Sequence, residues 1–263
     1  MPNRIKEIWK SGGTAIAGWL AIPSAYSAEV MAKAGFDALN VDMQHGVQDY
    51  QSLIACYQGM TPTGPVPFAR VPWLEPGIIG KVLDGGAAGI ICPMVNTAED
   101  AKALVSYMRY PPLGVRSHGP IRAGTYGEAG TYYKTANDDI VCMPMIETGE
   151  AVKNIDAIVD VPGIDAVYIG PGDLGLSLGL PPKLDREEPE ILKMYETVLK
   201  ACARRGIYAG IHNASPAYAV RMMEMGFRFL VLSNDSGMML RAAKSDFSAV
   251  DEARAKAKTA RVA

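Results

Sequence analysis

This chain of 263 residues has no run of about 18 consecutive apolar residues, the minimum for a bilayer-spanning helix. Its N-terminus, MPNRIKEIWK, carries charges where a secretory signal would carry its apolar centre, so neither membrane insertion nor secretion by that route is expected. Cysteine is scarce: Cys56, Cys92, Cys142 and Cys202 form no CxxC pair and have no histidine at zinc-site spacing. Buried, reduced thiols in a cytoplasmic protein are the expectation. Charge of one sign is scarce too, with 26 Lys+Arg against 28 Asp+Glu and a net charge of -2, which excludes the basic surplus of a nucleic-acid binder. A hydrophobic content of 49% excludes disorder.

What the chain does contain is a repeat. A helix-like segment, a glycine near its end and a short apolar strand recur in MAKAGFDALNVD, VLDGGAAGIICPMV, VDVPGIDAVYIG, CARRGIYAGIH and MEMGFRFLVLS. Gly35, Gly86, Gly163, Gly206 and Gly226 suit the turn after a helix. Apolar runs without clean alternation are strands buried on both faces of a parallel sheet. About eight are predicted: Thr14 to Leu20, Ala38 to Asp42, Val66 to Arg70, Gly89 to Pro93, Val141 to Ile146, Ala166 to Gly170, Tyr208 to Ile211 and Phe229 to Leu232. That number in a chain of this length predicts one α/β domain over residues 1–263, a single (β/α)8 TIM barrel. Helical periodicity fills the intervals, over Ser27 to Ala34, Gln48 to Tyr57, Gly77 to Leu83, Thr97 to Met108, Glu150 to Val159, Pro189 to Arg205, Pro216 to Met225 and from Asp235 onward.

Two segments break the repeat. Tyr110 to Thr135 is rich in Gly, Pro and Tyr, and Pro171 to Glu188 is a second long excursion. Long irregular segments in a compact domain are usually functional, and both are expected on the catalytic face. The tail from Val250 to Ala263 reads as an exposed helix or as an arm that docks on a neighbouring subunit.

A barrel builds its active site at the C-terminal ends of its strands. The polar residues expected there are Asp42 with His45 after strand two, Arg70 after strand three, Glu147 after strand five and Asp173 in Gly170-Pro-Gly-Asp after strand six. Strand seven adds His212 and Asn213, and strand eight Ser233 to Asp235. Two carboxylates on adjacent strand ends, Glu147 and Asp173, suit a hard divalent cation that completes its shell with water and substrate oxygens. The same acids would equally serve as caps of the helices that follow, or as a glycosidase-type acid pair. Arg70 either neutralises the acids or offers a fork to a carboxylate or oxyanion. His45, one of three histidines, is of a residue type suited to proton transfer, although a loop histidine is often a bystander. Backbone N–H groups around Gly172 and Asp173, at a helix start, are candidates for holding a substrate carboxylate. A Schiff-base mechanism needs a desolvated lysine on a strand, and Lys33, Lys81, Lys102, Lys153, Lys193 and Lys200 all fall in predicted helices.

The strings VDMQH (Val41 to His45), PFARV (Pro67 to Val71), KVLDGGAAGIICPMVNTAEDA (Lys81 to Ala101), YPPLGVRSHGP (Tyr110 to Pro120), MIET (Met145 to Thr148) and IGPGDLGLSLG (Ile169 to Gly179) resemble, in order, those of the HpcH/HpaI aldolases. The resemblance implies a barrel of the phosphoenolpyruvate/pyruvate type, a divalent cation (Mg²⁺ or Mn²⁺, with Co²⁺ as a further option), and reversible aldol addition of a pyruvate enolate to an aldehyde. It also implies a homo-hexamer with an exchanged C-terminal helix. Carried over by position, Glu147 and Asp173 match the metal ligands and Arg70 the residue on the pyruvate oxygens. His45 matches the proton-transfer residue, and Asp42 an acid of the same strand end. Asp84 matches an acid paired with that histidine. Its own sequence context puts it near a helix C-terminus at the far end of its barrel, and the two placements agree only if a neighbouring subunit presents it.

Two departures stand out. Gln44 replaces a common Glu before the histidine, and Met145 replaces a common Gln before the metal-binding Glu. The variants DMQH and MIET resemble a hydroxy-keto-acid aldolase subgroup, with the metal site kept and the aldehyde pocket altered. Arg116, His118 and Arg122 are expected either to shape acceptor specificity or to hold loops and subunits together. Rival functions are a citrate lyase β-subunit-like acyl-CoA lyase, which needs a basic patch for CoA phosphates, and a non-catalytic keto-acid binding protein.

Overall fold

A computed structural model describes residues 3–61, 64–126 and 130–260. Eight parallel strands close into a barrel in sequence order: β1 (Ala15–Leu20), β2 (Ala38–Asp42), β3 (Val66–Arg70), β4 (Gly89–Cys92), β5 (Val141–Ile146), β6 (Ala166–Ile169), β7 (Tyr208–Asn213) and β8 (Phe229–Leu232). Each predicted strand coincides with an observed one to within two residues at either end. The helices are α1 (Arg4–Lys10), α2 (Ala25–Ala32), α3 (Tyr50–Met60), α4 (Pro76–Asp84), α5 (Ala98–Met108), α6 (Ile121–Tyr126), α7 (Tyr132–Asp139), α8 (Gly149–Lys153), α9 (Ile155–Val159), α10 (Pro171–Ser177), α11 (Pro189–Arg205), α12 (Pro216–Met225) and α13 (Asp235–Ala260).

The strands lack alternation because both of their faces are buried. Inward side chains, including Ala17, Trp19, Phe68, Ile91, Met143, Tyr168 and Phe229, fill the barrel. Outward ones, including Leu39, Val41, Ile90, Val167, Ile169 and Leu230, pack beneath the helices. The five turn glycines all adopt positive φ, from 67° at Gly206 to 124° at Gly226. Helix starts follow local chemistry: Asp49 and Thr97 form capping boxes with Ser52 and Asp100, and Ser24 and Ser215 accept from N–H groups in the first turns of α2 and α12.

Helix α1 has no counterpart in the sequence reading. It closes the N-terminal end of the barrel, with Ile5 and Trp9 in the interior cluster. The Trp9 indole N–H donates to the Arg228 carbonyl at 2.7 Å, and its ring stacks on Tyr208 at 4.8 Å. The Asn3 amide donates to the carbonyls of Ala88 and Asp139. The predicted helix from Glu150 to Val159 is interrupted at Asn154, whose side chain donates to the Asn96 carbonyl.

The segment from Tyr110 to Thr135 lies at the opposite end from its expected place. It joins the end of α5 to the start of β5, so it emerges beside the N-terminal ends of the strands. A connection that follows a helix returns to that end, and only those that follow a strand reach the other. The segment carries α6 and the start of α7; residues 127–129 lie outside the described residues. The Pro171 to Glu188 excursion follows β6 and does sit at the C-terminal end, pinned by the buried Arg186, which donates to the carbonyls of Pro171 and Pro181. The tail continues α13 to Ala260 and is exposed along its outer part, with Met239, Leu240, Phe247 and Val250 among the exposed large hydrophobic residues. Its last three residues lie outside the described residues. Among the described residues no helix is long and apolar enough to cross a membrane, and all four cysteines are buried free thiols.

Candidate active site

The C-terminal ends of the strands enclose a cavity of about 530 Å³. Its lining includes Asp42, His45, Arg70, Glu147, Gly172, Asp173, His212 and Asn234, so most residues chosen from the sequence meet in one place, whereas Asp84, Asn213, Ser233 and Asp235 do not line it.

Asp42 ends β2 and Arg70 ends β3, at paired positions of adjacent strands. The guanidinium donates twice to one carboxylate, from Nε at 2.8 Å and from Nη2 at 2.6 Å. Two parallel bonds fix the fork in one plane, and the Trp19 ring supports it with its centroid 4.9 Å from the guanidinium carbon. Nη1 makes no hydrogen bond within the described residues, so it is the donor left for a ligand. Burial works to raise the Asp42 pKa, but the hydrogen bonds and charge of Arg70 outweigh it and hold the carboxyl below its ordinary value. The same carboxylate accepts from the backbone N–H groups of Gln44 and His45, which folds the chain tightly after β2. A Cβ on Gly46 would lie 2.3 Å from the Asp42 carbonyl oxygen, so this turn requires glycine. It places the exposed His45 at the cavity mouth.

Glu147 directly follows β5 and is only 2% exposed. It does not cap the next helix, because Thr148 takes that position and accepts from the Ala151 N–H. Its Oε1 accepts instead from the Met94 N–H at 2.7 Å. Met94 adopts φ 56°, a left-handed conformation uncommon for a residue with a side chain, and nothing in the sequence pointed to it. Burial, with the charge of Asp173 adding to it, pushes the Glu147 carboxyl up to about 7. Gly170 leaves room for this group: a Cβ there would sit 2.5 Å from Glu147 Oε2. Asp173 lies in the first turn of α10, exposed at the cavity, and makes no cap hydrogen bond. Among the described residues no cluster of three or more His, Cys, Asp and Glu side chains is placed to hold a metal ion; of the three acids lining the cavity Asp42 is engaged by Arg70, which leaves Glu147 and Asp173 as candidate ligands, not a full cage.

Asp84 is the last residue of α4 and lies outside this cavity. It accepts from Arg116 at 2.8 Å, and that guanidinium packs on the Tyr110 ring. Arg122 donates to the Gly85 carbonyl. Within one chain these arginines therefore tie α4 to the segment after α5, away from the site. A second cavity, of about 760 Å³, opens in that segment between Tyr110, His118, Ile121, Tyr132 and Tyr133, with no acidic or Lys/Arg side chain among its described lining residues.

The model of the HpcH/HpaI aldolase/citrate lyase family matches residues 16–242. The chain belongs to this family. It is 39% identical over 242 residues to a hydroxypyruvate/pyruvate aldolase of Rhizorhabdus wittichii, covering 92% of this chain and 96% of that one. It is 35% identical over 247 residues to a 4-hydroxy-2-oxo-heptane-1,7-dioate aldolase of Salmonella heidelberg, covering 93% of each. An HpcH/HpaI aldolase/citrate lyase family protein of Burkholderia cenocepacia superposes with a TM-score of 0.88 at 29% identity, over 95% of this chain and 99% of that one. In this HpcH/HpaI protein the matched span runs from β1 into α13 and includes every residue lining the acid-bearing cavity.

Proposed function

We propose that this protein is a divalent-metal-dependent aldolase that reversibly cleaves a 4-hydroxy-2-oxo acid to pyruvate, or a related 2-oxo acid, and an aldehyde. The observation that carries the proposal is the buried Glu147 carboxylate with Asp173 in the same cavity as the Asp42–Arg70 pair. The donors are all oxygen, which suits Mg²⁺, Mn²⁺ or Co²⁺, and two protein ligands leave positions for water and for a chelating keto acid. A cation beside Glu147 also opposes the burial that pushes its carboxyl up to about 7. When bound, it supplies the Lewis acidity that acidifies the methyl protons of a 2-oxo acid.

The chain's own residues do the rest. Arg70, held by Asp42, directs Nη1 to the oxygen on which enolate charge develops. The backbone at Gly172 and Asp173 receives the carboxylate. His45 moves the proton between the aldehyde oxygen and solvent at the mouth. Among the described residues Arg70 is the only Lys or Arg lining the cavity, which disfavours a CoA-phosphate patch and hence the acyl-CoA lyase reading.

Asp84 enters this scheme only from a second copy. The exposed apolar side chains of α13 support a homo-oligomer, proposed as a hexamer with this helix exchanged. Two tests apply. Incubation with Mg²⁺ or Mn²⁺, pyruvate and D₂O should deuterate the methyl group, and absence of exchange rejects the aldolase. Mixing inactive His45→Ala and Asp84→Ala subunits should restore part of the activity if the site is shared, and no recovery on reassembly assigns Asp84 a purely structural role.

A further inference from the structure

One polar group of the cavity is unused by this scheme. His212, on β7, lines it beside Trp19 and Tyr168. Its Nδ1 lies 3.0 Å from the Tyr168 hydroxyl, the one hydrogen bond the ring makes within the described residues. Tyr168 is 1% exposed, and burial raises its pKa well above the ordinary value, so the hydroxyl keeps its proton. That proton has no other acceptor among the described residues. If Nδ1 also carried hydrogen, two donors would face each other or the buried O–H would go unpaired, so Nδ1 accepts. Burial, assisted by the Arg70 charge, pushes the imidazole down to about 4, so the ring is neutral near pH 7 and its single hydrogen is on Nε2.

The surroundings show what this N–H meets. The Trp19 ring neighbours both polar groups, with its centroid 4.9 Å from the Arg70 guanidinium carbon and 5.0 Å from that of the His212 ring, at an interplanar angle of 78°. A substrate with its keto oxygen at Arg70 therefore crosses Trp19 before its far end reaches β7. The lining also includes the apolar Ile22, Pro23 and Leu184, and the polar Asn234 and Ser236 just after β8. A buried, oriented donor discriminates by the cost of being left unpaired.

We propose that His212 determines acceptor specificity. Its Nε2–H donates to an oxygen on the aldehyde-derived end of the substrate, which favours hydroxylated aldehydes over alkyl aldehydes of the same size, and Tyr168 is the positioning residue that sets the tautomer. This inference rests on the aldolase reading.

The test uses the full-length protein with Mg²⁺ and pyruvate, and compares kcat/KM for glycolaldehyde with that for propanal. In His212→Leu the ratio should fall about tenfold, equivalent to about 1.4 kcal/mol. His212→Gln, which retains an N–H donor, should stay near the wild-type ratio. An unchanged ratio in His212→Leu overturns the proposal, as does a change confined to the ratio of hydroxypyruvate to pyruvate as donor. For Tyr168, ¹⁵N spectra of the histidine ring should show the single Nε2–H tautomer in wild type and a mixture in Tyr168→Phe. A single unchanged tautomer removes the positioning role. Methyl deuteration of pyruvate by the wild-type protein without aldehyde separates the two ideas: no exchange rejects the aldolase, whereas exchange with an unchanged aldehyde ratio rejects His212 alone.

Discussion

Replacing Glu147 by Gln tests the electrostatics at the centre of the site. The wild-type carboxyl is 2% exposed and shifted from an ordinary value near 4.5 to about 7 by burial and Asp173. A carboxyl whose pKa is raised on folding binds its proton more tightly in the native state, so its stabilising contribution is complete below the ordinary pKa and is lost as pH rises toward 7. Without metal, the loss across this window amounts to about 3 kcal/mol. For a chain of this size that corresponds to roughly 6–12 °C in Tm. The amide has nearly the same shape, still accepts from the Met94 N–H and does not ionise. The difference in Tm, Glu147→Gln minus wild type, should therefore grow by that amount between pH 5 and pH 8 when both proteins are metal-stripped and followed by scanning calorimetry. Added Mn²⁺ should then raise the Tm of the wild type much more than that of the variant. Parallel Tm curves for the two proteins across this range refute the argument, because they mean that folding does not shift the Glu147 carboxyl.

Other perturbations have equally definite outcomes. Arg70→Ala strands the buried Asp42 charge and should cost about 3–5 kcal/mol in urea unfolding, whereas the double change Asp42→Asn/Arg70→Met should cost less. Gly170→Ala places a Cβ within 2.5 Å of Glu147 Oε2, so calorimetric titration should show metal affinity weakened about tenfold or more. Trp9→Ala opens a cavity under the barrel and should cost about 3–5 kcal/mol in stability while leaving metal affinity unchanged.

The strands were legible because each is a short apolar run buried on both faces, and the glycines after the helices mark their starts. The site was legible for a related reason. In a barrel the first polar residue after a strand has one end of the molecule to occupy, which placed Asp42, Arg70, Glu147 and Asp173 correctly around one cavity. Helix α1 escaped because only Ile5 and Trp9 of its seven residues are buried, too few to show periodicity among charges. The side of the 110–135 segment was misassigned because loop composition signals irregularity and not which end of a strand it joins. Met94 was invisible because a backbone N–H aimed at a carboxylate has no side-chain signature. Arg186 reads as one more surface charge until the carbonyls of Pro171 and Pro181 close over it.

The helix that seals the floor of the barrel also sets the order of traffic through it. Ile5 and Trp9 pack beneath the interior side chains, and the cavity lies at the strand C-termini. In the proposed reaction a 2-oxo acid seated against Glu147 and Arg70 would lie inward of the aldehyde that must meet it, and both would use the same opening. A molecule at the bottom of a blind well enters first and leaves last. The proposed condensation should therefore follow ordered binding, keto acid before aldehyde, with the aldehyde released first on cleavage, and a random order in product-inhibition kinetics would refute this.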